Sequence, residues 1–134
     1  MAKEGGFPLS IALDDGAAAA QTISNDVTNC AWAIPRGVQD VTGVDKSAVE
    51  RLLLLADFSG TLNGVFNDAA NMSHAVLKTV SSTSIARTLT LGISGQTLAN
   101  EVLVTDYSLT RGQDGSLVWT APFVLQSGTV PSWS

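Results

Sequence analysis

The sequence predicts a mainly β domain with one flanking α-helix, on three observations. Residues 101–111 and 116–125 read as two arms of one hairpin about a Gly-Gln-Asp-Gly loop at 112–115. Residues 87–93 alternate, with Leu89, Leu91 and Ile93 to one side and Thr88, Thr90 and Ser94 to the other. The main helical period lies between them and the earlier strands: Asn67 caps a segment in which Ala69, Met72, Val76 and Val80 recur at helical spacing, closed by Ser81 to Ser84.

Taken in order, residues 1–8 form a Gly- and Pro-bearing arm, followed by a short strand with Leu9, Ile11 and Leu13 on one side. Asp14-Asp15-Gly16 turns the chain, and Asn25-Asp26 leads into a strand over 27–34 with Cys30, Trp32 and Ile34 on one face. Pro35-Arg36-Gly37 reverses it before a short extended run over 38–42. Ser47-Ala-Val-Glu50 matches a capping box, in which serine and glutamate satisfy unpaired backbone donors, and predicts a short helix ending near Leu52. Residues 54–66 then read as one long strand. Leu54, Ala56, Phe58, Leu62 and Phe66 share one face, and Asp57, Ser59, Thr61 and Asn63 the wet one.

The C-terminal hairpin is the longest element, its ten-residue arms spanning roughly 33 Å, about twice an ordinary strand. Pairing Thr110 with Ser116 sets Leu109 opposite Leu117, Tyr107 opposite Trp119 and Leu103 opposite Phe123, all on one face. The other face of the second arm carries Val118, Thr120, Pro122 and Val124. Neither side is written simply for water, as expected of a ribbon that touches copies of itself.

With 134 residues the chain fits one domain, large enough for a core without metal or disulfides. Apolar residues make up 45% and charged ones only 14%, a low share that is tolerable when much surface is buried in an assembly. Twelve Asp and Glu against seven Lys and Arg give a formal charge of −5, which argues against phosphate-driven nucleic-acid binding. The single cysteine, Cys30, excludes an internal disulfide, and no signal-like or membrane-spanning apolar stretch occurs.

No enzymatic motif is present. His74 is the sole histidine, so a triad or multi-histidine metal site would need several subunits. Gly92-Ile-Ser-Gly95 lacks the glycine spacing of a nucleophile elbow and reads as a strand end. Asp57 with Glu50 or Asp106 reads as solvated carboxylates, and Asn71-Met-Ser73 sits inside the predicted helix. Trp32 and Trp119 alternate with apolar neighbours and read as core, whereas Trp133 must find a neighbouring subunit or fold back.

Several stretches, in order, are similar to bacteriophage major tail proteins, the tail tube family: Ile23-Ser-Asn-Asp-Val27, Trp32-Ala-Ile-Pro35, Asp40-Val-Thr-Gly43, Ala48-Val-Glu-Arg51 and Gly64-Val-Phe-Asn-Asp68. His74-Ala-Val-Leu77, residues 101–111, Asp114-Gly-Ser-Leu117 and Pro131-Ser-Trp133 continue the likeness across nearly the whole chain. The resemblance implies a single tail tube domain over 1–134, a β-sandwich or barrel-like fold with a flanking helix. It would form hexameric rings, stacked into a tube through sheets that continue between subunits. Implied partners are further copies of the chain, a tape measure protein, a tail terminator and tail tip proteins. DNA would pass without specific binding. No enzyme activity, cofactor or membrane contact is implied, and the expected location is the phage tail of a virion made in the host cytoplasm.

Within that frame Asp57, Ser59, Thr61, Asn63, Thr88 and Thr90 are expected to face the channel, since an acidic or neutral wall would not retain phosphates. Subunit contacts are expected at Phe7, Pro8, Arg36, Val38, Arg111, Gln113, Asp114, Val118, Val124 and Trp133, with 1–8 and 129–134 as assembly arms. The inner tube of a contractile injection system and a capsid decoration protein are the alternatives. A carbohydrate-binding sandwich would need exposed aromatic residues in a row.

Overall fold

The last strand of the chain is the one that joins the fold together. The computed structural model describes residue 3 and residues 5–134. Its elements are β1 (Leu9–Asp14), β2 (Ala20–Thr22), β3 (Val27–Ala33), β4 (Arg36–Asp40), β5 (Arg51–Ala56), β6 (Ser59–Val65), α1 (Ser73–Leu77), β7 (Arg87–Ile93), β8 (Gln96–Val104), β9 (Ser108–Arg111) and β10 (Leu117–Leu125). Eight strands form one antiparallel sheet in the order β2-β1-β7-β8-β10-β6-β3, with β9 beside β10, while β4 and β5 pair only with each other. The mainly β architecture with one small helix is therefore as the alternation predicts.

The sheet folds over at β10. β10 pairs with β6 through Val118 to Val124 but with β8 only at Phe123, Val124 and Leu125. The inward residues of both halves meet in one core: Ile11, Leu13, Leu89, Leu91, Leu98 and Val102 from one, Leu62, Trp119, Ala121 and Phe123 from the other. Gly60 and Gly64 let β3, β6 and β10 close up. A Cβ at Gly60 would lie 2.2 Å from the Ala31 carbonyl, and one at Gly64 2.5 Å from the Trp119 ring.

Four sequence expectations are corrected. The first hairpin arm is broken: β8 stops at Val104, β9 starts at Ser108, and the Thr105 N–H bonds the Pro122 carbonyl at 3.1 Å. Pro122 has no N–H for a ladder, so the pairing is interrupted opposite it. The register differs accordingly. Thr110 faces Val118, with Leu109 opposite Trp119, a shift of two that preserves the faces. Beyond the break Leu103 faces Val124 instead of Phe123, and it lies outside.

The capping-box helix over 47–52 does not form. The Glu50 N–H bonds Thr42 Oγ1 at 2.8 Å, its carbonyl accepts the Val41 N–H, and the chain enters β5. One helical turn is a costly nucleus with little to bury, and the cross-strand ladder satisfies the same backbone groups. The long strand over 54–66 is two strands in different sheets. At Asp57 the N–H bonds the Pro35 carbonyl and the carboxylate accepts the Phe58 N–H, so Phe58 turns into the core and the leucines before it stay outside.

The helix is shorter than predicted and is not capped by Asn67, whose Oδ1 accepts the Ala69 N–H of a preceding turn. Both helix ends are held from a distance. Buried Asp26 accepts the Ser73 N–H at 3.0 Å and the Asn67 side-chain amide at 2.9 Å. At the other end Arg87, 2% exposed, donates to the Val76 carbonyl at 2.7 Å, the Asp14 carbonyl at 3.0 Å and Thr79 Oγ1 at 2.9 Å. A carboxylate at the N-terminus and a guanidinium at the C-terminus both complement the backbone dipole. Buried Val76 and Leu77 thereby join the core.

Removing the guanidinium while keeping the stem, as in Arg87→Met, strands two buried carbonyls; we expect a loss of about 3 kcal/mol in urea unfolding. A change under about 0.5 kcal/mol would show the clamp to be dispensable. Burial pushes the Asp26 carboxyl up, but hydrogen bonds from Asn67 and Ser73 outweigh it and leave it below the ordinary 3.8. A depressed pKa contributes stability that is present above the unfolded value and lost as pH falls through the folded one. Asp26→Asn should therefore be less stable at pH 7 and lose less stability than the parent on acidification below about pH 4. Equal acid slopes would contradict this.

Candidate assembly surfaces

The largest uncovered apolar surface is the arm made by β4, β5 and the loop between them. Every residue of β4 is exposed, and in β5 Leu52, Leu53, Leu54 and Leu55 are 54%, 61%, 43% and 91% exposed. Val38, Val41, Val44 and Val49 extend the same surface. The arm is ordered by its own bonds: Arg36 Nε to the Leu54 carbonyl at 2.8 Å, the Thr42 N–H to Asp40 Oδ1 at 2.9 Å, and a Lys46 to Glu50 ion pair at 3.9 Å. Successive leucines point to opposite faces of this two-stranded arm, so both faces are apolar and uncovered, which monomeric proteins rarely leave in water. A concavity of about 610 Å³ lies against it, lined by Arg36, Leu53, Leu54, Leu55, Ala56 and Val130.

The remaining expected contact residues fall in separate places. Arg36 and Val38 belong to the arm, and Arg111, Gln113 and Asp114 to the exposed turn between β9 and β10. Asp114 Oδ1 accepts the Ser116 N–H at 3.0 Å, which holds its carboxyl below the usual range. Phe7, 94% exposed, and Pro8 stand at the entry to β1 beside a cleft toward β3 of about 410 Å³; Met1, Ala2 and Glu4 of the expected 1–8 arm lie outside the described residues. Trp133 folds back onto Trp32, ring centroids 6.4 Å apart.

The polar positions expected in the channel separate into two stripes. Ser59, Thr61 and Asn63 stand on the outer face of β6, directly across from Val124, Pro122 and Thr120 of β10; Thr120 Oγ1 bonds Asn63 Oδ1 at 2.8 Å. Val118 and Val124, expected as contact residues, share that face. Exposed Asp57 precedes it. Thr88 and Thr90 lie on β7, across from Glu101 and Ala99, with Thr88 Oγ1 bonded to Glu101 Oε1. Since both halves of the sheet turn their inner faces to one core, the two outer stripes look in different directions.

His74 is a packing residue, set between Phe66 and Tyr107 with Nδ1 3.1 Å from the Tyr107 hydroxyl. Cys30 is half-buried, and burial pushes its thiol up to about 11. Among the described residues no three His, Cys, Asp or Glu side chains gather as a metal site, and no helix is long and apolar enough to cross a membrane. Sequence reasoning missed the four leucines of β5 as a surface. The available signal was that residues 40–50, dense in Asp, Lys, Glu and Gly, supply nothing to cover them.

The fold is an antiparallel sheet folded around one core with a small helix, and solved structures share it. The chain superposes on a chain in the virion of a native gene transfer agent particle with TM-score 0.79, 17% identity, and coverage of 98% of this chain and 99% of that one. A chain in the tail of an empty gene transfer agent particle, refined with C6 symmetry, matches at TM-score 0.79 and 18% identity over 98% and 99%. A chain in the six-fold-symmetrised baseplate of the anti-feeding prophage matches at TM-score 0.65 and 10% identity over 100% and 97%. No protein-family model and no curated protein sequence matches the chain. The fold implied by the resemblance to tail tube proteins is thus the fold observed.

If the arm is an association surface, Leu53→Glu with Leu55→Glu should keep the parent's circular dichroism and melting temperature while abolishing concentration-dependent association in sedimentation velocity. Unchanged association would place the contact elsewhere.

Proposed function

We propose that this chain is a structural virion protein that assembles as stacked hexameric rings into the tail tube of a phage-like particle, through which DNA is delivered to the host. The observation that carries the reading is the full-length match of its fold to a chain in a tail refined with C6 symmetry. The exposed leucine arm supports it, because a tube subunit needs apolar surface that its own core does not use. Rings stack through the β4–β5 arm, with the turn at Arg111 to Asp114 and the entry segment at Phe7 and Pro8 as further contacts. The chain's place is the virion tail, and its work is structural, with no cofactor.

The channel wall is assigned to the half of the sheet made by β3, β6, β10 and β9. Among the described residues β3 bonds only β6, and β9 only β10, so both borders of this half have free edges that can continue into neighbouring subunits. Asp57, Ser59, Thr61 and Asn63 then line the channel, and Thr88 and Thr90 face away from it. A neutral to acidic wall lets phosphates pass without binding. A tape measure protein occupies this channel during assembly, and terminator and tip proteins close its ends. A second reading, the inner tube of a contractile injection system, draws on the baseplate likeness, the weaker of the matches.

Negative-stain microscopy of the purified chain across concentration and salt, alone and with tip proteins, should show stacked six-fold rings or hollow tubes. In maps of such tubes a Thr61→Lys side chain should point into the channel and a Thr90→Lys side chain outward. Persistent monomers under all conditions would overturn the tube reading, and the reverse lysine pattern would overturn the wall assignment.

A further inference from the structure

The C-terminal segment after β10 is bound in an unusual way. The Gln126 N–H continues the ladder to the Glu101 carbonyl at 3.0 Å, and the segment then leaves β8. It returns only at its end, where Thr97 and Ser134 exchange N–H bonds to each other's carbonyls at 2.8 and 2.9 Å and Trp133 bridges Leu98. Between these two points the chain bows away from the strand. Ser127, Gly128, Thr129 and Val130 are exposed before the chain is buried again at Pro131, and a void of about 250 Å³ opens against Thr88, Ala99, Asn100 and Glu101. Beneath the bow the Asn100 side-chain Nδ2 is buried without a hydrogen-bond partner.

An edge segment paired at its ends but not in its middle is held to its own subunit by few bonds. The segment also has a hinge. Gly128 sits at φ +72°, a conformation that L side chains rarely adopt, and its neighbours Ser127 and Thr129 are exposed. With Gln126 held at its own Glu101, residues 127–131 extended span roughly 16 Å, a reach that suits a copy packed beside this edge. What they would meet on an identical copy is the site they now fill: the β8 edge from Gln96 to Glu101, and Trp32 as a platform for Trp133. Exchange between copies re-forms the Thr97–Ser134 pairing, the Leu98 bridge and the Trp32–Trp133 contact and adds those of the interface, which makes it a low-cost route to association. Val130 already lines the concavity beside Leu53, Leu54 and Leu55, so release of the tail also opens that surface of the arm.

We infer that residues 127–134 are an exchangeable tail: its end is closed on its own β8 edge in the free subunit, and seated on the β8 edge and Trp32 of a second copy in the assembly. The tail thus guards the free subunit against premature association, and its transfer ties neighbours together once assembly starts. The inference rests on the tube reading above and specifies a contact within it.

The test is a reducible lock. Thr97 and Ser134 form a hydrogen-bonded antiparallel pair, for which Cα atoms stand about 5.5 Å apart, within disulfide reach. Thr97→Cys and Ser134→Cys are combined with Cys30→Ser, oxidised as monomer, and assembled with and without reductant. The locked monomer should assemble at least tenfold more slowly, with recovery on reduction. Assembled reduced and then oxidised, the polymer should give a ladder of linked chains on non-reducing gels. Equal assembly with the lock closed, or within-chain disulfides alone in the polymer, would overturn the exchange. Absence of any ring or tube from the wild-type chain in the same experiment would fall on the tube reading instead, and the exchange would go with it.

Discussion

Everything in this molecule depends on β10 reaching its place between β8 and β6. Until it does, the chain has two half-sheets, β2-β1-β7-β8 and β6-β3, each with an apolar face and nothing opposite it. β10 supplies Trp119, Ala121 and Phe123 to the shared core and bonds strands far apart in sequence. Its Trp119 Nε1 donates to the Val65 carbonyl at 2.8 Å, so the largest core side chain is also anchored in direction. The proline within β10 limits its own ladder, and the break between β8 and β9 follows from that.

The helix shows a second consequence of building from long-range contacts. Five residues do not hold helical structure on propensity. Asp26, from the turn before β3, and Arg87, from the start of β7, hold its two ends, and each brings its charge out of water only because several backbone or hydroxyl groups receive it. Burial pulls the Arg87 pKa down, while the nearby charges of Asp15 and Asp14 act the other way. Such sites specify where the helix sits more than they stabilise the fold.

Against this closed core, the β4–β5 arm and the C-terminal segment are the parts whose bonding within one subunit is incomplete. The arm has a backbone ladder, broken by an irregularity between Arg36 and Val38, and no core for its leucines. The tail has a ring contact and an edge pairing with a gap between them. Both deficits, like the edges of β3 and β9 that are free among the described residues, are of the kind that association with another copy removes.

The alternation of Leu89, Leu91 and Ile93 against Thr88 and Thr90 placed β7 at its observed bounds, and the same period located β1, β3 and the inner face of β10. Those features are local: a side chain's face on a strand follows from the two-residue repeat whatever the strand pairs with. The two faces of β10 and the exposure of the turn at Arg111 to Asp114 were equally legible. The leucines of β5 were not, because their pattern says apolar but not whether anything covers it. Nor were the division of the polar stripes between two half-sheets, the depth of Arg87, or the fold-back of Trp133 onto Trp32. The amino-acid sequence by itself determined which residues are strands and which face of each is apolar. Only the tertiary structure decided which apolar faces find a partner inside the chain and which stay exposed, because burial depends on neighbours that are distant in the chain.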